Sequence, residues 1–275
     1  MRELRHAATT RVDEVFERAG GKAVNVARVL DALGHEVLVM GFAGGRVGEA
    51  VVDELDDAGL AHELVPIAGQ TRRTLIVRED AGGEPTGISE RGPAISESEW
   101  AAFRTAYAAR LPGASAVVLA GSLPPGLPED AYATLIEAAG DVPALLDTAG
   151  EPLRLGAGAA PAIAKANRGE LRSEHVVAEA ERLRLAGAHA VVVSLGEEGL
   201  VAVTDEGVLR AEPPERVSGN PIGAGDAASA ALIAGLVAGT SWSERLADAA
   251  ALSAAAVHAP VAGSFDAAAY ARYRA

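Results

Sequence analysis

The sequence of 275 residues contains no cysteine. This absence excludes disulfide bonds, thiolate metal sites and cysteine nucleophiles, and it is typical of proteins of a reducing cytoplasm, where we expect this one. No segment approaches the roughly 20 continuous apolar residues of a membrane-spanning helix. The first ten residues, MRELRHAATT, also lack the apolar stretch of a secretory signal. We therefore predict a cytoplasmic protein with no membrane partner.

Positive charge is scarce as well. Lysine and arginine together number 24 against 38 acidic residues, which gives a formal net charge of -14. So acidic a chain repels polyanions, and its arginines are scattered, so we expect no nucleic acid partner. Small phosphate-bearing molecules remain candidates, because the backbone amides of a helix start and one or two cations are enough to bind them.

Aromatic residues make up only 4% of the chain, whereas short β-branched runs alternate with longer stretches rich in alanine and leucine. This alternation predicts an α/β fold in which helices cover both faces of a mostly parallel sheet. Strands are predicted at 35–40, 115–120, 143–147, 161–165 and 189–194. Helices are predicted at 22–33, 46–58, 96–109, 128–140, 168–186, 224–238 and 242–257.

Two regions depart from this alternation. Residues 62–92 contain short β-branched runs separated by AGQ and AGG, which predicts a small antiparallel meander outside the main sheet. Residues 199–211 predict a hairpin that turns at 205–207.

The segment NPIGAGDA, residues 220–227, precedes an apolar helix. Its two glycines, Gly223 and Gly225, allow the backbone to turn closely around a ligand, and the unpaired N–H groups of the helix start form an anion site. Asp226 beside such a site would repel a phosphate, but it suits a base that deprotonates an acceptor hydroxyl during phosphoryl transfer. A helix-capping role for Asp226 explains the same pattern.

Three further segments carry polar groups at places where ligands bind. Asn167 and Glu170, three residues apart, can hold magnesium through water or can form a capping box. Lys22 and Asn25 share one face of a helix that follows a glycine pair, where they can grip sugar hydroxyls or a phosphate, or can be ordinary surface residues. Ser122 lies in AGSLPPG, which is either a ligand-binding loop after a strand or a rigid Pro/Gly turn.

The segments GGKAVNVAR, TRRT, AGSLPPG, LDTAGE, KANRGEL, VVVSLGEEG and NPIGAGDA occur in this order from about residue 19 onward. Together they resemble the ribokinase family of carbohydrate kinases, and within it the phosphofructokinase B subgroup of 1-phosphofructokinases and tagatose-6-phosphate kinases. The resemblance implies a three-layer α/β/α sandwich with a small β lid. It implies a core of 20–61 and 93–275, a lid of 1–19 and 62–92, and a homodimer formed through the lid.

The resemblance also assigns roles to individual residues. Asp226 is the implied base, and the amides of Gly223, Ala224 and Gly225 form the anion hole for the transferred phosphoryl group. Asn167 and Glu170 position Mg²⁺ next to ATP. The implied nucleotide-binding residues are Lys165, Asn167, Ser194, Gly196 and Gly199. The implied substrate-binding residues are Gly21, Lys22, Asn25, Arg72 and Ser122.

Several positions depart from the family pattern. Ala23 stands where the family pattern has a third glycine, and Ala166 stands where it has a proline. Ser89 occupies the position of an asparagine that is common in the subgroup. Gly87 occupies the position of a second phosphate-binding arginine that some members have. Members of the family usually begin with a strand that ends in an aspartate for sugar hydroxyls, and we expect the main sheet to lack that strand here.

The sequence therefore predicts transfer of the ATP γ-phosphoryl group to a primary hydroxyl of a sugar phosphate such as fructose 1-phosphate or tagatose 6-phosphate. Two alternatives stay open: a kinase of an unphosphorylated sugar or nucleoside, and a catalytically silent sugar- or nucleotide-binding homologue.

Overall fold

The computed structural model describes residues 9, 12, 14–78, 85–171 and 173–274. The strands are β1 (Val39–Ala43), β2 (His62–Pro66), β3 (Thr74–Val77), β4 (Thr86–Ser89), β5 (Val117–Ala120), β6 (Ala144–Asp147), β7 (Ile163–Asn167), β8 (Val191–Ser194), β9 (Leu200–Thr204) and β10 (Gly207–Ala211). The helices are α1 (Lys22–Ala32), α2 (Gly45–Asp57), α3 (Glu97–Arg110), α4 (Ala131–Ala139), α5 (Gly150–Gly158), α6 (Arg168–Leu171), α7 (Val176–Ala186), α8 (Ala224–Val237), α9 (Trp242–Val257) and α10 (Ala267–Tyr273).

The main sheet has six strands in the order β10-β9-β8-β7-β6-β5. Strands β5 to β8 run parallel. Strand β9 pairs antiparallel with β8, and β10 pairs antiparallel with β9 at the edge of the sheet. A second sheet pairs β1 with β2 in parallel, and within the described residues no strand joins it to β5. Helix α1 packs against both β5 and β1, so it spans the two sheets.

Hydrophobic cores fill both faces of the main sheet because neighbouring residues of a strand point to opposite sides. Leu145 packs with α1, α8 and α9, whereas Leu146 packs with α3, α4, α5 and α7, and both side chains are fully buried. The resulting arrangement has a helical layer on each side of the sheet, as predicted. In the part of the chain that the structure describes, no helix is long and apolar enough to cross a membrane.

The predicted meander over 62–92 is only partly correct. Its first segment is β2, which pairs in parallel with β1, so the antiparallel prediction is wrong there. The reason is that helix α2 connects the two strands, and a helical crossover returns the second strand in the same direction. Strands β3 and β4 do form an antiparallel hairpin, and the connection between them, 79–84, lies outside the described residues. The hairpin of β9 and β10 is confirmed.

Other predicted boundaries were also wrong. The helix predicted over 168–186 is two helices, α6 and α7. Between them, Ser173 Oγ accepts a hydrogen bond from the N–H of His175, and such a local bond competes with the backbone hydrogen bonds of a continuous helix. The strand predicted at 35–40 is β1 and begins at Val39, where pairing with His62 starts. Helices α5 and α10 were not predicted, and α5 contains three glycines, which disfavour helix in isolation.

Candidate active site

A cleft of about 890 Å³ opens at the carboxyl ends of β5 and β6 and beside the start of α1. This is the edge of an open α/β sheet at which ligands bind. Five of the predicted site residues line it: Gly21, Lys22, Arg72, Ser122 and Glu170. The structure therefore brings together groups that are up to about 150 positions apart in the chain, since Gly21 and Glu170 share one cavity.

Helix α1 begins at Lys22 because Gly21 precedes it with a φ of 103°, a conformation that side chains disfavour. The Nζ atom of Lys22 lies 2.7 Å from Asp147 Oδ1 and 2.8 Å from Glu170 Oε1. Lys22 is thus not a free surface lysine, because it bridges the buried carboxylate of Asp147 and the carboxylate of Glu170, which lines the cleft.

Asp147 is a central residue that the sequence analysis did not select. It ends β6, is 1% exposed, and its Oδ2 accepts hydrogen bonds from Lys165 Nζ and Ser229 Oγ, both at 2.8 Å. Together with Lys22, three donors from α1, β7 and α8 converge on one carboxylate. The signal for it in the sequence was a lone acidic residue at the end of the apolar run PALLD, the position where α/β sheets place ligand-binding groups.

The charges of this cluster stabilise one another. Burial by itself raises the pKa of Asp147, but the ammonium groups of Lys165 and Lys22 outweigh it and hold that pKa at about 2. Burial lowers the pKa of Lys22, and the carboxylates of Asp147 and Glu170 outweigh this and raise it above its usual value. Asp147 and Lys22 therefore stay ionised over the physiological pH range.

The anion site predicted at 223–225 lies at the first turn of α8. Gly223 has a φ of 89°, and a Cβ there would lie 2.8 Å from Ala262, so only glycine fits. The N–H of Ala224 makes a long hydrogen bond of 3.3 Å to the carbonyl of Pro221. Within the described residues, the N–H groups of Gly223 and Gly225 have no such bond, so they remain available to an anion.

Asp226 follows this turn and is 8% exposed. Its Oδ2 accepts a hydrogen bond of 2.7 Å from Asn25 Nδ2, which is also buried. Neither Asn25 nor Asp226 lines the cleft. Burial raises the pKa of Asp226, the hydrogen bond from Asn25 lowers it, and the charge of Asp147 raises it again; the net change is upward.

Asn167 and Glu170 form a capping box at the start of α6. The N–H of Asn167 donates to Glu170 Oε2, and the N–H of Glu170 donates to Asn167 Oδ1, both at 2.8 Å. This is one of the two alternatives left open by the sequence, and it orients Glu170 so that its other oxygen faces Lys22. The pair still offers oxygen atoms beside the cleft, which fits a magnesium ion that keeps most of its water. Within the described residues, no cluster of three or more acidic, histidine or cysteine side chains could hold a metal directly.

Two arginines line the cleft. Arg72 is exposed and donates from Nη2 to Ser122 Oγ at 3.3 Å, so these two predicted substrate residues meet. Arg91, which the sequence analysis did not select, lines the same cavity. A second arginine is therefore present even though Gly87 occupies the position of the family's usual one.

The predicted nucleotide residues after β8 differ in their surroundings. Ser194 ends β8, and Gly196 is exposed with open space around it. Gly199 is buried, and a Cβ there would lie 2.1 Å from the carbonyl oxygen of Ala211. The close approach of β10 thus explains why glycine is required at position 199, whether or not a nucleotide binds there.

Solved structures with the same fold cover almost the whole chain. Phosphofructokinase-2 from Escherichia coli, in its tetrameric inhibited form, is 28% identical, and the match covers 100% of this chain and 94% of that chain with a TM-score of 0.87. Its complex with fructose-6-phosphate matches over the same shares at 27% identity, with a TM-score of 0.86.

Two proteins from Thermotoga maritima share the fold. A possible 1-phosphofructokinase is 24% identical and matches 100% of this chain and 92% of that chain with a TM-score of 0.90. A ribokinase is 15% identical and matches 98% and 92% with a TM-score of 0.73. The predicted ribokinase-like α/β fold is confirmed. The sequence pattern of the pfkB family carbohydrate kinases matches residues 2–267, so the chain belongs to this family and is a sugar kinase that uses ATP.

Proposed function

We propose that this kinase transfers the γ-phosphoryl group of ATP to a primary hydroxyl of a sugar phosphate, with fructose 1-phosphate or tagatose 6-phosphate as the expected acceptor. The observation that carries the proposal is that Arg72 and Arg91 line one cavity with Ser122. In a chain of net charge -14, two arginines in one cleft are suited to a substrate that brings its own phosphate. The binding of fructose-6-phosphate by the Escherichia coli relative supports the same class of substrate.

In this proposal Asp226 is the base that takes the proton of the acceptor hydroxyl. Its burial and raised pKa make it a stronger base than an exposed aspartate. The N–H groups of Gly223, Ala224 and Gly225 would stabilise the negative charge of the transferred phosphoryl group. The hydrogen bond from the N–H of Ala224 to the carbonyl of Pro221 is long, so this N–H can donate to a phosphate oxygen instead.

The sugar would bind on the α1 side of the cleft. Gly21 would let its hydroxyls approach the backbone, Lys22 would contact them or a phosphate, and Arg72 and Ser122 would hold the sugar's own phosphate. Asn25 has the same substrate role in the family pattern, although here its amide donates to Asp226.

ATP would bind along the ends of β7 and β8. We propose that Lys165, Asn167, Ser194, Gly196 and Gly199 contact it. Asn167 and Glu170 would hold Mg²⁺ through water, and the ion would supply positive charge to the ATP phosphates when bound. In the structure Glu170 Oε1 accepts a hydrogen bond from Lys22, so binding of Mg²⁺ and the contact with Lys22 would compete for this oxygen.

We further propose a cytoplasmic homodimer formed through the lid hairpin, β3 and β4. Leu75 and Ile88 are paired across this hairpin, and each is 57% exposed. Two large apolar side chains side by side on an exposed two-stranded sheet would be covered by a second copy of the hairpin. The relative from Escherichia coli forms a tetramer, which shows that this fold can associate.

The test is a panel of acceptors with Mg-ATP: fructose 1-phosphate, tagatose 6-phosphate and fructose 6-phosphate against fructose, ribose and a nucleoside. Arg72→Ala should raise KM for the phosphorylated acceptor about 10- to 100-fold, the loss of one charge-assisted contact. Arg73→Ala is the matched control, because Arg73 pairs with Glu90 and does not line the cleft; its KM should stay within about twofold of the wild type.

Faster turnover of unphosphorylated acceptors would contradict the proposal in favour of the first alternative. Binding of ATP with no turnover of any acceptor would contradict it in favour of a silent homologue.

A further inference from the structure

A second cavity, of about 340 Å³, lies toward the end of helix α1. The first turn of α1, residues 22–24, lines the cleft, whereas Arg28, Asp31 and Ala32 further along the helix line this second cavity. Among the described residues the two cavities have no lining residue in common. We call the second one the α1 cavity, and it is a separate place for a ligand.

Arg18 brings an uncompensated positive charge to the α1 cavity. It is half-buried, and its Nη1 donates to Ser264 Oγ at 3.2 Å, so the two side chains meet at the cavity wall. In the part of the chain that the structure describes, Arg18 makes no ion pair with a carboxylate. A guanidinium carries several N–H donors in a fixed fork, so donors of Arg18 remain for a ligand.

Arg28 adds to the positive potential around Arg18. It lines the cavity, is 8% exposed and pairs with Glu54, which does not line the cavity. Burial lowers the pKa of Arg18, the charge of Arg28 lowers it further, and Glu54 raises it; the net change is downward. The repulsion by Arg28 therefore outweighs the attraction by Glu54, and an anion bound beside Arg18 would offset it.

The other lining residues limit the kind of anion. The carboxylate of Asp31 lines the cavity and, within the described residues, has no cationic partner, so it would repel a second negative charge on a ligand. Most of the remaining lining is apolar and consists of Ala32, Ala58, Leu60, Phe265 and Ala267. A ligand with one negative charge and a short apolar body matches these surroundings.

We propose that the α1 cavity binds a small monocarboxylate, with its carboxylate on Arg18 and Ser264 and its apolar body against Leu60 and Phe265. Ser264 Oγ accepts from Arg18, so its own hydroxyl proton is free to donate to the carboxylate. The proposal goes beyond the kinase activity and does not depend on which sugar the cleft binds.

The test is an NMR titration that follows the backbone N–H signal of Phe265 in ¹⁵N-labelled protein. Propionate should shift this signal saturably with a Kd of about 1 mM, a typical affinity for so small a ligand. Propionamide has the same shape without the charge, and it should bind at least about 10-fold more weakly, because the charge-assisted bonds to Arg18 are lost. Succinate should also bind about 10-fold more weakly than propionate, because its second carboxylate meets Asp31.

Three variants connect these affinities to individual side chains. Arg18→Gln should weaken propionate at least about 10-fold, and Ser264→Ala about 3- to 10-fold. In Asp31→Asn the preference for propionate over succinate should fall to about two- to threefold. Arg182→Gln is the matched control, because Arg182 is exposed on α7, pairs with Glu179 and does not line the cavity; its Kd should stay within about twofold.

Far-UV circular dichroism verifies that each variant is folded, and Ser264→Ala carries the test if Arg18→Gln is not. The proposal is overturned if propionate gives no saturable shift, or if propionamide binds as tightly as propionate. Tighter binding of succinate or of inorganic phosphate would also overturn it, since a doubly charged anion would then be preferred. The titration needs no sugar and no ATP, so its result is independent of the acceptor panel that tests the proposed function.

Discussion

At the scale of single residues, the proposed base gives the sharpest prediction. Asp226→Asn should lower kcat by about 10²- to 10⁴-fold, because the amide keeps the shape and the hydrogen bond from Asn25 but cannot accept the proton. The Kd of ATP should stay within about twofold, because the backbone N–H groups beside it are unchanged. The measurement is steady-state kinetics with saturating acceptor, together with a nucleotide titration.

The control for this prediction is Asp141→Asn, a change at an exposed aspartate away from the cluster. It should leave kcat unaltered. A loss below about tenfold in Asp226→Asn would contradict the assignment of Asp226 as the base.

Single residues also show which parts of the site could be predicted from the sequence and which could not. The motif around Asp226 was identifiable because glycines and a carboxylate stand next to each other in the chain. Asp147 was not selected, because its partners Lys22, Lys165 and Ser229 come from three distant segments. Only the folded chain shows that one buried carboxylate accepts from all three.

At the scale of elements, substitutions at the two glycines that flank one short turn can distinguish a role in packing from a role in ligand binding. Gly196 and Gly199 have φ angles of 66° and 85°, so alanine is strained at both. Alanine at 199 would also meet the Ala211 carbonyl, whereas at 196 it meets open space. Gly199→Ala should therefore lower the free energy of unfolding by about 2 kcal/mol more than Gly196→Ala.

Urea denaturation of the two variants measures this difference. Equal stability would show that β10 can move away from Gly199, and it would remove the packing explanation for this glycine. A loss of ATP affinity in Gly196→Ala at unchanged stability would support its proposed contact with nucleotide.

Element boundaries were predictable where one local signal dominated. The apolar runs of β5, β6 and β8 and the caps of α3 and α9 are local signals. In each cap a serine and a glutamate form a complete capping box. Strand β1 was misplaced because its limits depend on pairing with β2, in which Val39 pairs with His62, 23 positions further along the chain. Helix α5 was missed because the burial of Leu153 and Ala157 outweighs the low helix propensity of its glycines.

At the scale of the whole molecule, the lid hairpin predicts association. Leu75→Glu combined with Ile88→Glu should convert a dimer into a monomer, because burying two carboxylates in an apolar interface is strongly unfavourable. Val208→Glu is the matched control: Val208 is 51% exposed on β10, outside the hairpin. Size-exclusion chromatography with light scattering gives the mass of each form.

A monomeric wild type would contradict the proposed dimer. So would a double variant that keeps the mass of the wild type. A larger assembly that persists in the double variant would place the interface elsewhere on the molecule.

The sequence by itself determined the α/β class and the order of most elements, because hydrophobic periodicity, glycine turns and capping residues act over a few neighbouring positions. The kinase family came from the resemblance of its ordered motifs to those of known members. The tertiary structure alone decided that β2 runs parallel to β1, that Lys22 bridges Asp147 and Glu170, and that Asn25 donates to Asp226. These facts depend on which distant segments share a sheet edge or a helix face. That choice is made by packing the whole chain at once, and no local pattern encodes it.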